Sequence, residues 1–368
     1  MSPELFRRAI DGLVPYEPGK PVEEVQRELG LDRVVKLASN EGSFPPFPAA
    51  LEAIERTARD LNRYPDGGAW ALRAALAERH DVAFEEVIVA PGADAVIDWL
   101  SQAALEAGDE IVCGWPSFPS YVLDAAKLGA VAVKVPLRDH TYDLEALLAA
   151  VEPRTKLVYV CHPNNPTGTA NGREELASFL ERVPDHVLVV LDQAYFEYID
   201  DPDHTDGIVD LFKAGRRVVV LRTFSKIYGL AGLRVGYAVA PADVVVATSK
   251  VRRAFEVTAT AQAAALASIG DDAEIKRRRA ANAEGRAQLE QVLRAHGFEP
   301  AGPVLGNFVY AEVGDGRALF EQLMRQGVIV RPLSGFGAPE AIRISVGTAE
   351  ENAVFGEALG HVLSGVSS

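Results

Sequence analysis

Six short runs rich in Val, Ile and Leu recur between residues 87 and 240, and none of them alternates cleanly with polar residues. They are VIVA (87–90), EIVCG (110–114), KLVYVC (156–161), VLVVLD (187–192), RVVVLR (217–222) and VGYAVA (235–240). A strand that is apolar on both faces must be covered on both, which is the pattern of a mostly parallel sheet flanked by helices. Helical stretches at 93–106, 118–128, 143–151 and 173–183 supply that cover. The pattern predicts an α/β fold.

Beyond about residue 255 the texture changes. An Ala/Glu/Arg-rich helical region, 259–295, precedes the segments NFVYAEV (307–313), VIVRPL (328–333) and AIRISVG (341–347). These read as a smaller α+β unit. The first 45 residues, punctuated by Pro15, Pro18, Pro21 and Pro45, read as an arm with a short strand that packs with this unit. The expected organisation is 1–45 as arm and part of the small domain, 46–255 as the large domain and 256–368 as the small C-terminal domain.

A chain of 368 residues can hold two such units. Its formal charge is −15, and its longest basic run is Lys276-Arg277-Arg278-Arg279 in a helical stretch, which argues against nucleic-acid binding. No uninterrupted apolar run reaches about eighteen residues, so no membrane span is expected. The charged N-terminus, MSPELFRRAIDGL, lacks the apolar segment of a signal peptide. Cys113 and Cys161 each lie in a strand-like run, which fits a reducing cytoplasm. On so acidic a chain an anionic ligand must be captured by local cations and backbone amides.

In an open parallel sheet, ligands gather outside the C-terminal ends of the strands. Four polar segments fall there: GAD after VIVA, HPNNPTGT after KLVYVC, DQAY after VLVV and TFSK after VVVLR. Lys226, at a strand mouth near Arg234, has its protonated form opposed by burial and by like charge, which suits Schiff-base chemistry. Taken alone, Ser-Lys reads more readily as a surface lysine beside a glycine turn than as a catalytic amine. Thr223, Ser225 and Arg234 offer complementary donors to a phosphate. Pro91-Gly92-Ala93-Asp94 gives either free amides for an anion or an ordinary strand-to-helix turn. Asp192 ends an apolar strand and needs a partner there, either a protonated ring nitrogen or a cap or ion pair. Tyr195 and Asn165 could each reach a phenolic oxygen of such a ring, Asn165 being held extended by Pro166.

Together these segments resemble the fold-type I pyridoxal-phosphate aminotransferases of class I and II, and within them the histidinol-phosphate branch. The resemblance spans nearly the whole chain through PYEPG (15–19), KLASNE (36–41), NRYPDGG (62–68), PGAD (91–94), HPNNPTGT (162–169), LDQAY (191–195), RTFSKIYGLAGLRVGYA (222–238), VIVRPL (328–333) and IRISVGTAEEN (342–352). It implies pyridoxal 5'-phosphate as cofactor, an amino donor and a 2-oxo acid as substrates, and a homodimer with shared sites. It further implies that Lys226 forms the Schiff base and moves the proton, that Asp192 pairs with the ring nitrogen, and that Asn165 and Tyr195 bond the ring's phenolic oxygen. Ala93, Asp94, Thr223, Ser225 and Arg234 would hold the phosphate, and Phe118 would stack on the ring. Tyr64 would reach the phosphate in the neighbouring subunit. Arg343 would grip the anionic end of the substrate, with Tyr16, Asn40 and Arg331 lining the same pocket.

Several positions depart from the pattern. Gln193 stands where an acidic residue often follows the aspartate, and it is expected to matter little. Gly42 replaces an Asn, and Phe255-Glu256-Val257-Thr258 replaces a Tyr-Asn-Val-Asn stretch. A carboxylate at Glu256, pointing inward, would disfavour a phosphate-bearing substrate. WPSF, FPPFP and LERVPDHVLVVLDQAY are also similar to actinobacterial aromatic amino-acid aminotransferases. The leading expectation is histidinol-phosphate transamination, ahead of aromatic transamination and then of a phosphothreonine decarboxylase. A catalytically dead sensing module would discard the Lys226, Asp192 and Tyr195 set that the chain retains.

Overall fold

All six apolar runs are strands of one sheet. The computed structural model describes residues 5–13 and 19–365, so the expectation for Tyr16 lies outside the described residues. After a two-residue strand, Val35–Lys36 (β1), the large sheet takes Val87–Ala90 (β2), Glu110–Trp115 (β3), Val131–Pro136 (β4), Thr155–Cys161 (β5), Leu188–Asp192 (β6), Val218–Thr223 (β7) and Gly236–Val239 (β8). Its order is β2-β8-β7-β6-β5-β3-β4. Only β8 runs antiparallel to its neighbours, so the sheet is mostly parallel, as the unbroken apolar runs require. β4 was not among the expected strands. It sits at the sheet edge with Val131, Lys134 and Pro136 exposed, so it has no continuous apolar run to announce it.

The parallel register lines up the ends that carry chemistry. Cys161 of β5 pairs with Asp192 of β6, and Thr223 of β7 pairs with Gly236 of β8, which in turn pairs with Ala90 of β2. Three strand mouths therefore open side by side. Helices Ala93–Ala104, Pro119–Leu128 and Arg173–Arg182 flank the sheet, each within two residues of its expected bounds.

A second apolar cluster belongs to the chain's two ends. β1 pairs in parallel with Val328–Ile329 (β10), while Arg331–Leu333 (β11), Ala338–Ser345 (β12) and Phe308–Glu312 (β9) form an antiparallel sheet in the order β11-β12-β9. Leu37, Leu289, Val309, Ile344 and Phe355 are among the residues that close this core. The expected helical region 259–295 is two helices, Ala259–Ser268 and Asp272–Ala295, parted at Gly270. Asp271 caps the second by accepting from the Glu274 amide at 3.0 Å. The first helix packs its Ala261, Ala264 and Ala265 into the larger core, beside helix Pro48–Thr57. Small residues there allow two helices to approach closely.

One buried side chain on the long helix fastens these parts together. Arg278 donates from Nη1 to the Ile227 carbonyl (3.0 Å), from Nη2 to the Pro45 carbonyl (2.8 Å) and from Nε to Glu274 (2.8 Å). Its guanidinium lies 4.3 Å from the centre of the Phe47 ring. It thereby ties the residue after Lys226 to the segment that joins the two cores. Arg278→Ala would leave the Ile227 and Pro45 carbonyls without this donor. We expect a loss of about 3 kcal/mol in stability, read as a lower denaturant midpoint at unchanged m.

Candidate active site

Gly236 lies between Ala90 and Thr223 in the strand register, and a Cβ placed there would come within 2.5 Å of the Ala93 amide nitrogen. Its missing side chain lets the start of helix Ala93–Ala104 press against the strand row. Gly92 precedes that helix at φ +91 and offers no side-chain cap, so the first-turn amides face outward from the helix end. A Cβ on Gly92 would lie 2.5 Å from Nη2 of Arg234. The guanidinium is thus packed against the helix start, where Nη1 also reaches Ser225 Oγ at 3.4 Å. Thr223 Oγ1 accepts from the Ser225 amide at 3.1 Å. Amides, two hydroxyls and one guanidinium converge here, a donor set that suits a phosphate.

Asp192 closes the opposite side. It is buried, and burial raises its carboxyl above the usual carboxylate range against the opposing effect of its hydrogen bonds. Its Oδ2 accepts from Tyr121 at 2.6 Å and its Oδ1 from the Ala194 amide at 3.1 Å. Tyr121 is itself fixed by stacking on Tyr159, with ring centres 4.4 Å apart. Lys226 lies between the two ends of the cavity. Its pKa is lowered to about 7, chiefly by burial and next by the charge of Arg343, while Glu41 opposes the shift. Its Nζ reaches the Ser39 carbonyl at 3.4 Å. Near neutrality a large share of this amine is therefore unprotonated and nucleophilic.

The outer wall comes from the small unit. Arg331 and Arg343 face each other across β11 and β12. Both also line the cavity, where they offer guanidinium donors to an anion. Arg343 is buried and donates to Asn165 Oδ1 and, at 2.8 Å, to the Ala38 carbonyl. Arg343 thus holds the carbonyl end of Asn165 and leaves its amino group as the end that can donate onward. Asn40, at φ +52, donates to the Tyr195 hydroxyl at 3.0 Å and is fastened by Ser345 on both its amide nitrogen and its Oδ1. Phe118 stands at the cavity wall, edge-on to Tyr121.

One cavity therefore gathers Asn40, Ala93, Asp94, Phe118, Asn165, Asp192, Tyr195, Thr223, Ser225, Lys226, Arg234, Arg331 and Arg343, all of them expected from the sequence. Tyr64 does not line it. It is 81% exposed and stacks on Phe255 at 4.7 Å, on the outside of the chain. Glu256 also faces elsewhere, into a narrow crevice with Asp66, Arg252 and Arg253. Gln193, expected to matter little, is fully buried. It accepts from the Gly207 amide (3.0 Å) and from Arg222 (2.9 Å) and donates to the Thr205 carbonyl (2.7 Å), so it anchors the loop behind Asp192. Gly42 lies against the Lys226 carbonyl, where a Cβ would come to 2.6 Å, so this backbone path excludes the Asn. Sequence reasoning missed Tyr121. Its partner Asp192 lies 71 positions away along the chain, beyond the reach of any local pattern.

A strand-end lysine facing a buried carboxylate, with an anion cradle beside them, defines an enzyme of amine chemistry. The family model for aminotransferase class I and II matches residues 32–359, and the chain belongs to that family. A histidinol-phosphate aminotransferase of Akkermansia muciniphila is 46% identical over 367 residues, covering 99% of this chain and 100% of the relative. An aromatic amino acid aminotransferase of Thermobifida fusca is 44% identical over 356 residues, 96% of each chain. Among solved structures, the histidinol-phosphate aminotransferase of Sinorhizobium meliloti in complex with pyridoxal-5'-phosphate superposes with a TM-score of 0.89 at 30% identity, over 99% of this chain and 98% of that one.

Asp192 carries a stability cost of definite sign. Because its pKa is raised in the folded state, ionising it penalises folding, and the penalty is absent below its unfolded pKa of about 3.9 and complete above the folded one. Asp192→Asn should therefore raise the thermal midpoint of the ligand-free protein at pH 8, with the gain shrinking as the pH falls towards 4. Midpoints at pH 4, 6 and 8 for both proteins check this; a gain that grew on acidification would contradict it.

Proposed function

We propose that the chain is a pyridoxal-phosphate-dependent aminotransferase of histidine biosynthesis, interconverting imidazole acetol phosphate and L-glutamate with L-histidinol phosphate and 2-oxoglutarate. The observation that carries this reading is a single cavity that holds a depressed-pKa lysine, a buried aspartate and two outer arginines. The names of three relatives, at 43, 46 and 42% identity, support the choice of substrate.

The cavity's donor set fits the cofactor. The uncapped helix start with Thr223, Ser225 and Arg234 suits its phosphate, the Asp192 carboxylate its protonated ring nitrogen, and the Lys226 amine its aldehyde. When bound, pyridoxal phosphate supplies an electron sink for the carbanion that forms on the substrate. Asp192 keeps the ring nitrogen protonated, and Tyr121 and the Ala194 amide orient its oxygens for that task. The Asn165 amino group and the Tyr195 hydroxyl, itself held by Asn40, donate towards the ring's phenolic oxygen. With the cofactor bound, Lys226, neutral in large part near pH 7, would serve as the base for the substrate Cα proton. Arg343 and Arg331 bind the anionic end or ends of donor and acceptor, and Phe118 covers the ring face.

In this reading Tyr64 serves a neighbouring subunit, so the working unit is a homodimer. Its exposed ring and the apolar Leu51, Leu61, Phe255 and Leu266 around the helices Pro48–Thr57 and Ala259–Ser268 are consistent with burial against a second copy. We place the enzyme in the cytoplasm; no helix among the described residues is long and apolar enough to cross a membrane. We also place the division between large and small domains near residue 270 rather than 255, because helix Ala259–Ser268 packs with the larger core.

A second reading is aromatic amino-acid transamination. It is favoured by the aromatic aminotransferase of Thermobifida fusca, whose identity to this chain is comparable with that of the histidinol-phosphate relatives. Steady-state kcat/KM with histidinol phosphate, phenylalanine and tyrosine as donors to 2-oxoglutarate separates the two. Histidinol phosphate should lead, and a preference for phenylalanine would transfer the assignment.

Lys226→Ala should retain the fold by circular dichroism and lose transamination; turnover of glutamate at the parent rate would refute the assignment. The rate at which the apoprotein takes up pyridoxal phosphate should rise between pH 6 and 8 as the Lys226 amine loses its proton. Absorbance stopped-flow follows this, and a rate falling over that range would contradict it. Arg343→Ala should weaken binding of acidic substrates by roughly 2–5 kcal/mol, read in KM for both glutamate and 2-oxoglutarate.

A further inference from the structure

The strand that carries Arg343 carries a second polar side chain on the same face. Ser345 ends β12 two residues later, where strand alternation turns it the same way. It is only 4% exposed. Its Oγ accepts from the backbone amide of Asn40 at 2.8 Å and donates to Asn40 Oδ1 at 3.0 Å. Asn40 Nδ2 in turn donates to the Tyr195 hydroxyl at 3.0 Å. Asn40 and Tyr195 are on the wall of the active-site cavity, and both are buried.

The direction of this relay is set at its start. A backbone N–H can only donate, so Ser345 Oγ accepts there and its own proton goes to Asn40 Oδ1. Turning the Asn40 amide over would face Nδ2 to the serine and bury the hydroxyl proton without this acceptor, which is costly. The amino end of Asn40 therefore faces Tyr195. The phenol oxygen accepts from it, and the phenol's own proton is left to donate away from Asn40. The backbone around Asn40 is held as firmly. Its carbonyl accepts from Asn307 Nδ2 at 3.2 Å, and the Ser345 amide donates to the Leu37 carbonyl at 2.9 Å. The Tyr195 ring stands edge-on to Phe308, the register partner of Ser345, with ring centres 4.9 Å apart. Glycine would meet the left-handed φ of +52 at position 40, so the backbone alone does not call for an asparagine.

From this geometry we infer that Ser345 is a positioning residue that acts through Asn40 to fix the direction in which the Tyr195 hydroxyl donates. The phenol proton is thereby committed to the cofactor's phenolic oxygen rather than to the Asn40 amide. Asn40, expected among the residues lining the substrate pocket, becomes the link between the small unit and this hydroxyl. The inference rests on the pyridoxal-phosphate reading and adds to it the residue that governs Tyr195 without touching the cofactor.

Two dissociation constants of the apoprotein test it, one for pyridoxal phosphate and one for 3-deoxypyridoxal phosphate, which lacks the phenolic oxygen. Quenching of protein fluorescence reads both. Ser345→Ala should reduce the preference for pyridoxal phosphate about five-fold, the worth of one hydrogen bond. Asn40→Gly, which suits the left-handed backbone, should reduce it similarly and decides the matter should Ser345→Ala fail to fold. Tyr195→Phe should reduce it at least as far, and adding Ser345→Ala to Tyr195→Phe should change it no further. A merely structural role would weaken both ligands alike and leave the ratio constant. That result, or an undiminished effect of Ser345→Ala in the Tyr195→Phe protein, would overturn the relay while leaving the cofactor reading intact. Binding of neither compound by the wild-type apoprotein would instead sink the cofactor reading, and the relay with it.

Discussion

A carboxylate at the end of a strand buried on both faces is an expensive group to keep, and Asp192 is such a group. Among the described residues its cost is contained by two donors, a phenol and one backbone amide, and both must be delivered from other elements. The phenol of Tyr121 comes from the helix after β3, held in place by its stack on Tyr159 of β5. The amide comes from the loop that Gln193 ties to Thr205, Gly207 and Arg222. The surroundings of this one acid therefore organise the middle of the sheet. They leave the carboxylate without a cation among its direct partners in the described residues, which makes it ready for a positively charged ring nitrogen.

The amine and the acid divide the electrostatic work. Burial drives both towards their neutral forms, lowering the lysine and raising the aspartate. Arg343 adds to the effect on the lysine while also fixing Asn165. The same guanidinium thus binds, orients and tunes, which is why the small unit must close onto the large sheet to complete the site. Arg278 supplies one tether for that closure, between the long helix, the Pro45 carbonyl and the residue after Lys226.

Much of this was legible in the chain because the strands are parallel. Continuous apolar runs located six of the seven strands, and polar residues at their C-terminal ends located the cavity. The edge strand β4 escaped because VAVKVP has neither a continuous run nor a clean alternation, its outer positions being exposed. Tyr121 escaped for another reason: its partner Asp192 is 71 positions away, and no local periodicity reports such a contact. Gln193 was undervalued because adjacency to Asp192 suggested a bystander, whereas strand alternation turns its side chain to the opposite side, into a buried polar cluster. Glu256 lies beyond the cavity, in a crevice beside Asp66, Arg252 and Arg253, while Tyr64 stacks on Phe255 at the surface.

The facing pair of Arg331 and Arg343 has a consequence for handling the protein as well as for its chemistry. Two guanidiniums lining one cavity offer a set of donors to a small oxyanion from the solvent. A buffer of sulfate or phosphate would then act as a counter-ion and steady the β11–β12 hairpin, whereas chloride would do so less well. Melting curves gathered in different salts would accordingly differ even with identical protein, and affinities for carboxylate substrates would fall in step with the competing oxyanion.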